Sequence, residues 1–279
     1  MKTELSHPIH QSSPFGGWGA LFWLTAFSIA MGYLETAIVV YLRVIYYPDG
    51  FRFPLAPISS DIALTEFLRE AATMVMLWAV GWLTGKTPVG RFACFLYSFA
   101  VWDIFYYVFL YLLLGWPESL FTWDVLFLIP VTWVGPVLAP CLVALTMILL
   151  AGVVVWLSNW GFATAFPKLS VKLWIAGCLI IIGSFVYDYL VFVQHHHGLS
   201  ALWSPGKQAA LFAEIAVYVP EYYPWWVFIV GEILLLLGVR KFFQFNTQTH
   251  SPKKSTAPLF HNQRVSAASE TFADEWEGL

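Results

Sequence analysis

From residue 17 to about residue 240, long apolar stretches alternate with short polar connections. A helix needs roughly 20 predominantly apolar residues to cross about 30 Å of hydrocarbon. Six stretches reach about that length and predict helices near 17–41, 62–85, 92–115, 137–157, 173–193 and 224–240. The expected fold is therefore all-α: a polytopic membrane bundle of about six transmembrane helices over 17–245. A short cytoplasmic leader (1–16) precedes it, and a polar tail (246–279), too poor in apolar residues to offset its ordering entropy, follows as a disordered cytoplasmic segment. The first stretch is longer than a signal-peptide core and lacks a clear small-residue cleavage site, so it reads as a retained helix.

One segment breaks the helical pattern. In FTWDVLFLIPVTWVGPVLAP, 121–140, the residues Pro130, Gly135, Pro136 and Pro140 interrupt any regular helix, because each proline removes an amide donor. Irregular backbone at membrane depth persists only where protein or a watery cavity covers it. A broken or re-entrant element on the outer side is expected. A second outer piece, KQAALFAEIAVYV at 207–219, reads as a short helix lying on the membrane surface.

Composition supports the membrane class: 59% of residues are hydrophobic, 19% aromatic and only 11% charged, against about a quarter charged in a soluble domain. The net charge of −3 lies mostly in loops and tail and gives no reason to expect nucleic acid as a partner. Lipid is the expected surrounding, with a small molecule, an ion or other membrane subunits as further partners. Cys94, Cys141 and Cys178 all fall within spans, forming no disulfide or zinc pattern, and read as buried small apolar residues.

The basic residues orient the bundle. With both termini cytoplasmic, Lys2, Lys86, Arg91, Lys168, Lys172, Arg240, Lys241, Lys253, Lys254 and Arg264 fall inside, and only Arg43, Arg52 and Lys207 outside. This agrees with the enrichment of Lys and Arg in cytoplasmic loops. The expected location is a bacterial inner membrane, with the loop WPESLFTWD (116–124) on the periplasmic face.

Ionisable residues inside the spans are the candidate chemistry, since an ionised group near the bilayer centre costs about 2.5–3.5 kcal/mol even on the lenient insertion scale. The apolar run 71–85 rises only about 22 Å, so its helix must take in Glu70, Arg69 and Glu66, which share one face at i, i+3 and i+4. Asp103 and Glu232 have apolar residues on both sides, and Asp188 follows a long apolar run. Glu35 lies nearer the outer interface. At about 1.5 Å per residue, these acids lie roughly 6–18 Å below the outer surface, while the inner half of the bundle is nearly devoid of charge. The pattern predicts an outward-facing acidic cavity closed below by an apolar plug.

Six carboxylates face Arg69, with Arg43 near, so some must be protonated or matched by a proton, metal ion or cationic substrate. The candidate binding residues are Glu35, Arg69, Glu70, Asp103, Tyr106, Tyr107, Asp188 and Glu232. Tyr106 and Tyr107 share a face with Asp103 and can donate to a carboxylate or share its proton. A hydrogen-bonded acid network that only fixes helix packing is the competing reading.

Histidine concentrates in QHHHGL, 194–199, where His195 sits two turns beyond Asp188. The pair is a weak candidate for metal, although His195–His197 lack the HxxxH or HExxH spacing. No histidine lies deep in a span, which argues against b-type haem and against di-iron histidine boxes; a divalent cation remains open as a cofactor. Three function classes follow. The first is a transporter or permease-like protein that binds protons, a cation or a cationic substrate. The second is a membrane-embedded enzyme acting on a lipid or prenyl-type substrate. The third is a non-catalytic subunit or assembly factor of a membrane complex.

The orientation is directly testable. An alkaline phosphatase reporter fused after Ser119 is expected to be active, and one fused after Lys86 inactive; the opposite pair of results would invert the topology.

Overall fold

A computed structural model describes residues 18–128, 131–196 and 217–249. Among them the chain forms α1 (Trp18–Tyr46), α2 (Ser60–Thr84), α3 (Pro88–Leu114), β1 (Trp123–Phe127), β2 (Trp133–Pro136), α4 (Leu138–Asn159), α5 (Lys168–His196) and α6 (Trp225–Thr249). Each predicted apolar stretch coincides with one of these six helices. Four of them, α1, α3, α4 and α5, are long and apolar enough to cross a membrane. The other two are less apolar over their length: α2 carries Asp61, Glu66, Arg69 and Glu70, and α6 carries Glu232, Arg240 and Lys241.

The helix ends follow local rules. Ser59 caps α2 by accepting the Ile62 amide. Thr87 caps α3 by accepting the Gly90 amide, with Pro88 in the first turn. Gly115 ends α3 at φ 64°, a left-handed conformation that suits glycine. Helix α6 runs on to Thr249, a few residues into the segment read from composition as unstructured. The leader 1–16, most of the surface piece 207–219, Pro130, His197 and the tail beyond 249 lie outside the described residues.

Successive helices alternate in direction. The first half of the bundle packs α1 and α2 on α3; the second packs α4 and α5 on α6; the two halves join along α3 and α4. At one end, Leu24, Val89, Ala93, Leu150, Val154, Leu157 and Phe242 form a closed apolar cluster. The other end holds the hairpin, the 47–59 connection and the 217–224 segment.

Over 121–140, where a broken or re-entrant element is expected, the chain forms a two-stranded hairpin that leads into α4. Its strands pair antiparallel, Trp123 opposite Pro136 and Asp124 opposite Gly135, with an irregularity between Val125 and Phe127. The amides at the start of α4 would be orphaned, but Val137 donates to the Thr122 carbonyl and Leu138 to that of Leu120. Pro140 falls in the first turn of α4, where a missing amide costs no helical bond.

The bundle is apolar outside as well as inside. Large apolar side chains are exposed along all six helices, for example Trp23, Leu83, Leu112, Leu149, Leu179 and Trp226. Polar groups such as Arg43, Glu70 and Asp124 are buried instead. Surfaces this apolar mark contact with a membrane or partner rather than with water. One cysteine departs from expectation: Cys94 is buried and Cys141 half-buried, but Cys178 is exposed.

Helices α5 and α6 approach each other closely, and glycine permits it. A Cβ on Gly177 would lie 2.9 Å from the Gly231 carbonyl oxygen, and one on Gly231 would lie 2.6 Å from Ile181 Cγ1 and 3.0 Å from the Gly177 carbonyl oxygen. Without a hydrophobic drive between helices in lipid, such small-residue contacts supply much of the packing. Gly177→Ala and Gly231→Ala are each expected to destabilise by about 1–3 kcal/mol through overpacking. Gly183→Ala, on the same helix with open space around it, should be neutral or stabilising. Thermal melts of the purified variants check this; equal melting of all three would mean that the close approach is unimportant.

Candidate functional site

At the hairpin end the bundle encloses a cavity of about 570 Å³, lined by residues of α1, α2, α3, the hairpin, α4, α5 and Leu235 of α6. Its position comes from the sparse contact between α1 and α2, which leaves a wedge over α3. The hairpin roofs that wedge.

Charged groups gather on one side. Arg69 ties α2 to α1 through an ion pair with Glu35, and its Nε donates to Glu66 Oε2 at 2.8 Å within the same helix. Glu70, on the adjacent position, is 8% exposed, and its Oε2 accepts the Leu128 amide of the hairpin at 2.9 Å. Asp103, in the middle of α3, makes no hydrogen bond to any described residue and faces the cavity. Tyr106 lines the cavity beside it, its ring edge against Tyr107.

A second ion pair, nearer the hairpin, is more fully buried. Arg43 Nη2 donates to Asp124 Oδ1 at 3.3 Å, and the Tyr107 hydroxyl donates to Asp124 Oδ2 at 3.3 Å. The guanidinium lies over the rings of Phe51 (4.2 Å) and Trp116 (3.8 Å), which meet edge to face around it. Burial pushes the Asp124 carboxyl up to about 6, while Arg43, the Val125 amide and the Tyr107 hydroxyl pull it back. Arg43 and these donors thus favour its ionised form, the form that neutralises Arg43.

The charge does not balance. Glu35, Glu66, Glu70, Asp103 and Asp124 line the cavity against Arg43 and Arg69. Both arginines are engaged with Glu35, Glu66 and Asp124. Glu70 and Asp103 are left with no cation partner among the described residues. The remaining wall is apolar and aromatic, including Phe99, Trp102, Phe127, Trp133 and Phe185. The chamber is thus amphipathic, acidic at one side and greasy at the other.

Of the residues singled out in the sequence, Glu35, Arg69, Glu70, Asp103, Tyr106 and Tyr107 line this one cavity. Asp188 and Glu232 do not. Asp188 accepts the Tyr218 hydroxyl at 2.7 Å and the amides of Glu221 (3.3 Å) and Tyr222 (3.2 Å), and so fastens the 217–224 segment to α5. Burial and this hydrogen bond push the Tyr218 phenol well above its ordinary value. Glu232 pairs with Thr146 of α4, its other oxygen buried without a partner. His195 is exposed at the end of α5. Among the described residues no group of three or more His, Cys, Asp or Glu side chains is placed to hold a metal ion.

Asp124 is the site residue the sequence did not reveal. It stands in a loop-like stretch whose neighbours Trp123 and Val125 are apolar, so no alternation marks it as inward-facing. Only the pairing of β1 with β2 turns it towards Arg43.

Because both partners are buried, Asp124→Asn is expected to cost about 3–5 kcal/mol by stranding the Arg43 charge. Adding Arg43→Met should recover part of that loss. Denaturant or thermal unfolding of the two single variants and the double checks this, and simple addition of the two losses would mean the pair is not coupled. No protein-family model, curated protein or solved structure matches the chain, so its function rests on the geometry of this cavity alone.

Proposed function

We propose that the chain is a six-span protein of a bacterial inner membrane, both termini cytoplasmic, and that it is a transporter or permease-like protein for a cationic amphiphile. The expected ligand is an organic cation with an apolar body, entering from the periplasmic side. The observation that carries this reading is the pairing of two cation-free carboxyls, Glu70 and Asp103, with an aromatic wall in one chamber.

Several features support it. Leu64, Leu68, Val75 and Leu83 on α2, and Trp226, Ile229 and Ile233 on α6, are exposed like the outer faces of the four most apolar helices. Both helices thus present lipid-compatible surfaces despite their internal charges. Charge inside a span faces the bundle interior and marks a ligand or ion pathway in the general case. The apolar cluster at the opposite end closes the chamber from the basic, cytoplasm-facing side. A cation bound at Glu70 and Asp103 competes with protons for the same carboxyls, which would couple uptake to the proton gradient.

A second reading, an enzyme acting on a lipid or prenyl-type substrate, is favoured by one observation. Asp103 and Tyr106, one helical turn apart, both present polar groups without a described hydrogen-bond partner to the aromatic half of the chamber.

Binding of tetraphenylphosphonium, a lipophilic cation, to the purified protein separates the two. Glu70→Gln and Asp103→Asn are each expected to weaken binding about tenfold or more, the loss of one desolvated charge interaction, with the melting temperature retained. Binding should rise with pH in the wild type and lose that dependence in the double variant. Unchanged affinity in folded variants would remove the transport reading.

A further inference from the structure

A second cleft lies at the opposite, basic end of the bundle. About 280 Å³ in volume, it is lined by Trp78, Trp82, Arg91, Phe92, Phe95 and Phe166. Trp82 and Arg91 sit within a turn or so of the ends of α2 and α3, while Trp78 and Phe95 lie deeper. At about 1.5 Å per residue the cleft runs roughly 10 Å from the helix ends along the bundle. It runs from the helix ends towards the middle of α2 and α3, and Trp78 and Trp82 are about half exposed along it.

Arg91 stands at its mouth. The guanidinium lies 3.9 Å over the Trp82 ring, and its Nε donates to the Gly85 carbonyl at 3.3 Å. No carboxylate lies within ion-pair distance, and neither terminal nitrogen has a hydrogen-bond partner among the described residues. Stacking and the Nε bond hold the fork in one orientation and leave its two donors available. Lys86, exposed in the same connection, adds a second positive charge, and Lys168 and Lys172 stand at the same end of the bundle.

We infer that this cleft binds an anionic phospholipid of the cytoplasmic leaflet, with one acyl chain along the aromatic wall and the phosphate on Arg91. Charge complementarity selects this occupant: a planar fork matches phosphate oxygens bidentately, and the basic end of the bundle faces the anionic lipid surface. Depth selects a lipid over a soluble phosphate, because a free anion would gain nothing from Trp78, Phe92 and Phe95. The site is separate from the acidic chamber and independent of what that chamber carries.

The test uses full-length protein stripped of lipid in detergent. Native mass spectrometry counts bound phosphatidylglycerol, phosphatidylcholine of the same acyl chains, or glycerol phosphate. Phosphatidylglycerol is expected to occupy the protein at an about fivefold lower concentration than phosphatidylcholine, the effect of one basic residue near a charged headgroup. Arg91→Gln should abolish that preference, and Arg91→Lys should keep part of it. Lys172→Gln, a charge loss at the same end, should leave it intact. A photoactivatable acyl chain should label peptides within 78–95 or the one containing Phe166. Equal uptake of the two lipids, an unchanged preference in Arg91→Gln, loss of the preference in Lys172→Gln, displacement of the lipid by glycerol phosphate, or labelling elsewhere would each overturn the site.

Discussion

A guanidinium half-sunk in an apolar bundle has to be neutralised by its own chain, and Arg69 meets that constraint through Glu35 on α1 and Glu66 on its own helix. The consequences reach across the molecule. Since α1 and α2 touch little along their length, the ion pair sets their spacing at the hairpin end. That spacing leaves a wedge over α3, and the wedge becomes a chamber once the hairpin covers it. The close packing of Phe95 against Gly81 holds α2 on α3 farther down, where a Cβ on Gly81 would lie 2.8 Å from the Phe95 amide nitrogen. The chamber is therefore a product of tight packing at one end and a charge-set gap at the other.

The two arginines solve the same problem differently. Arg69 is shared between two glutamates and keeps some contact with the chamber. Arg43 is enclosed by two rings, one aspartate and the hairpin. Its partner comes from a separate element about eighty residues along the chain, so this pair locks the roof to α1. Glu70 adds a second tie by accepting the Leu128 amide. A backbone donor that would be stranded in an apolar setting is thereby satisfied by a side chain. That bond occupies Oε2, so one oxygen of the Glu70 carboxylate is committed to holding the hairpin.

Much of this layout was legible in the sequence, because hydrocarbon thickness sets helix length and apolar run length reports it. The six helices fall where the apolar stretches lie, and most of the acids that length forces inward line one chamber. What run length does not carry is rotation about the helix axis. Run length alone puts Asp188 and Glu232 in one layer with the others, yet their helices turn them towards Tyr218 and Thr146. The hairpin was hidden for another reason. Its prolines and glycine read equally as a kinked helix, and the strand 123–127 is apolar on both sides except at Asp124, so no period-two pattern announces it.

The division into two three-helix halves has a consequence for biosynthesis. Membrane chains are built from the N-terminus, and parts of a fold that are complete pack while the rest is still being made. The first half holds Glu35, Arg69 and Glu66 together, so its main charge is neutralised once α2 is complete. Arg43 has no such early partner. Until residue 124 arrives, it is a cation stacked on Phe51 and Trp116 with no carboxylate in place. The hairpin thus brings Arg43 its counter-ion, and a chain that ended before it would leave both an unneutralised arginine and an unroofed acidic chamber.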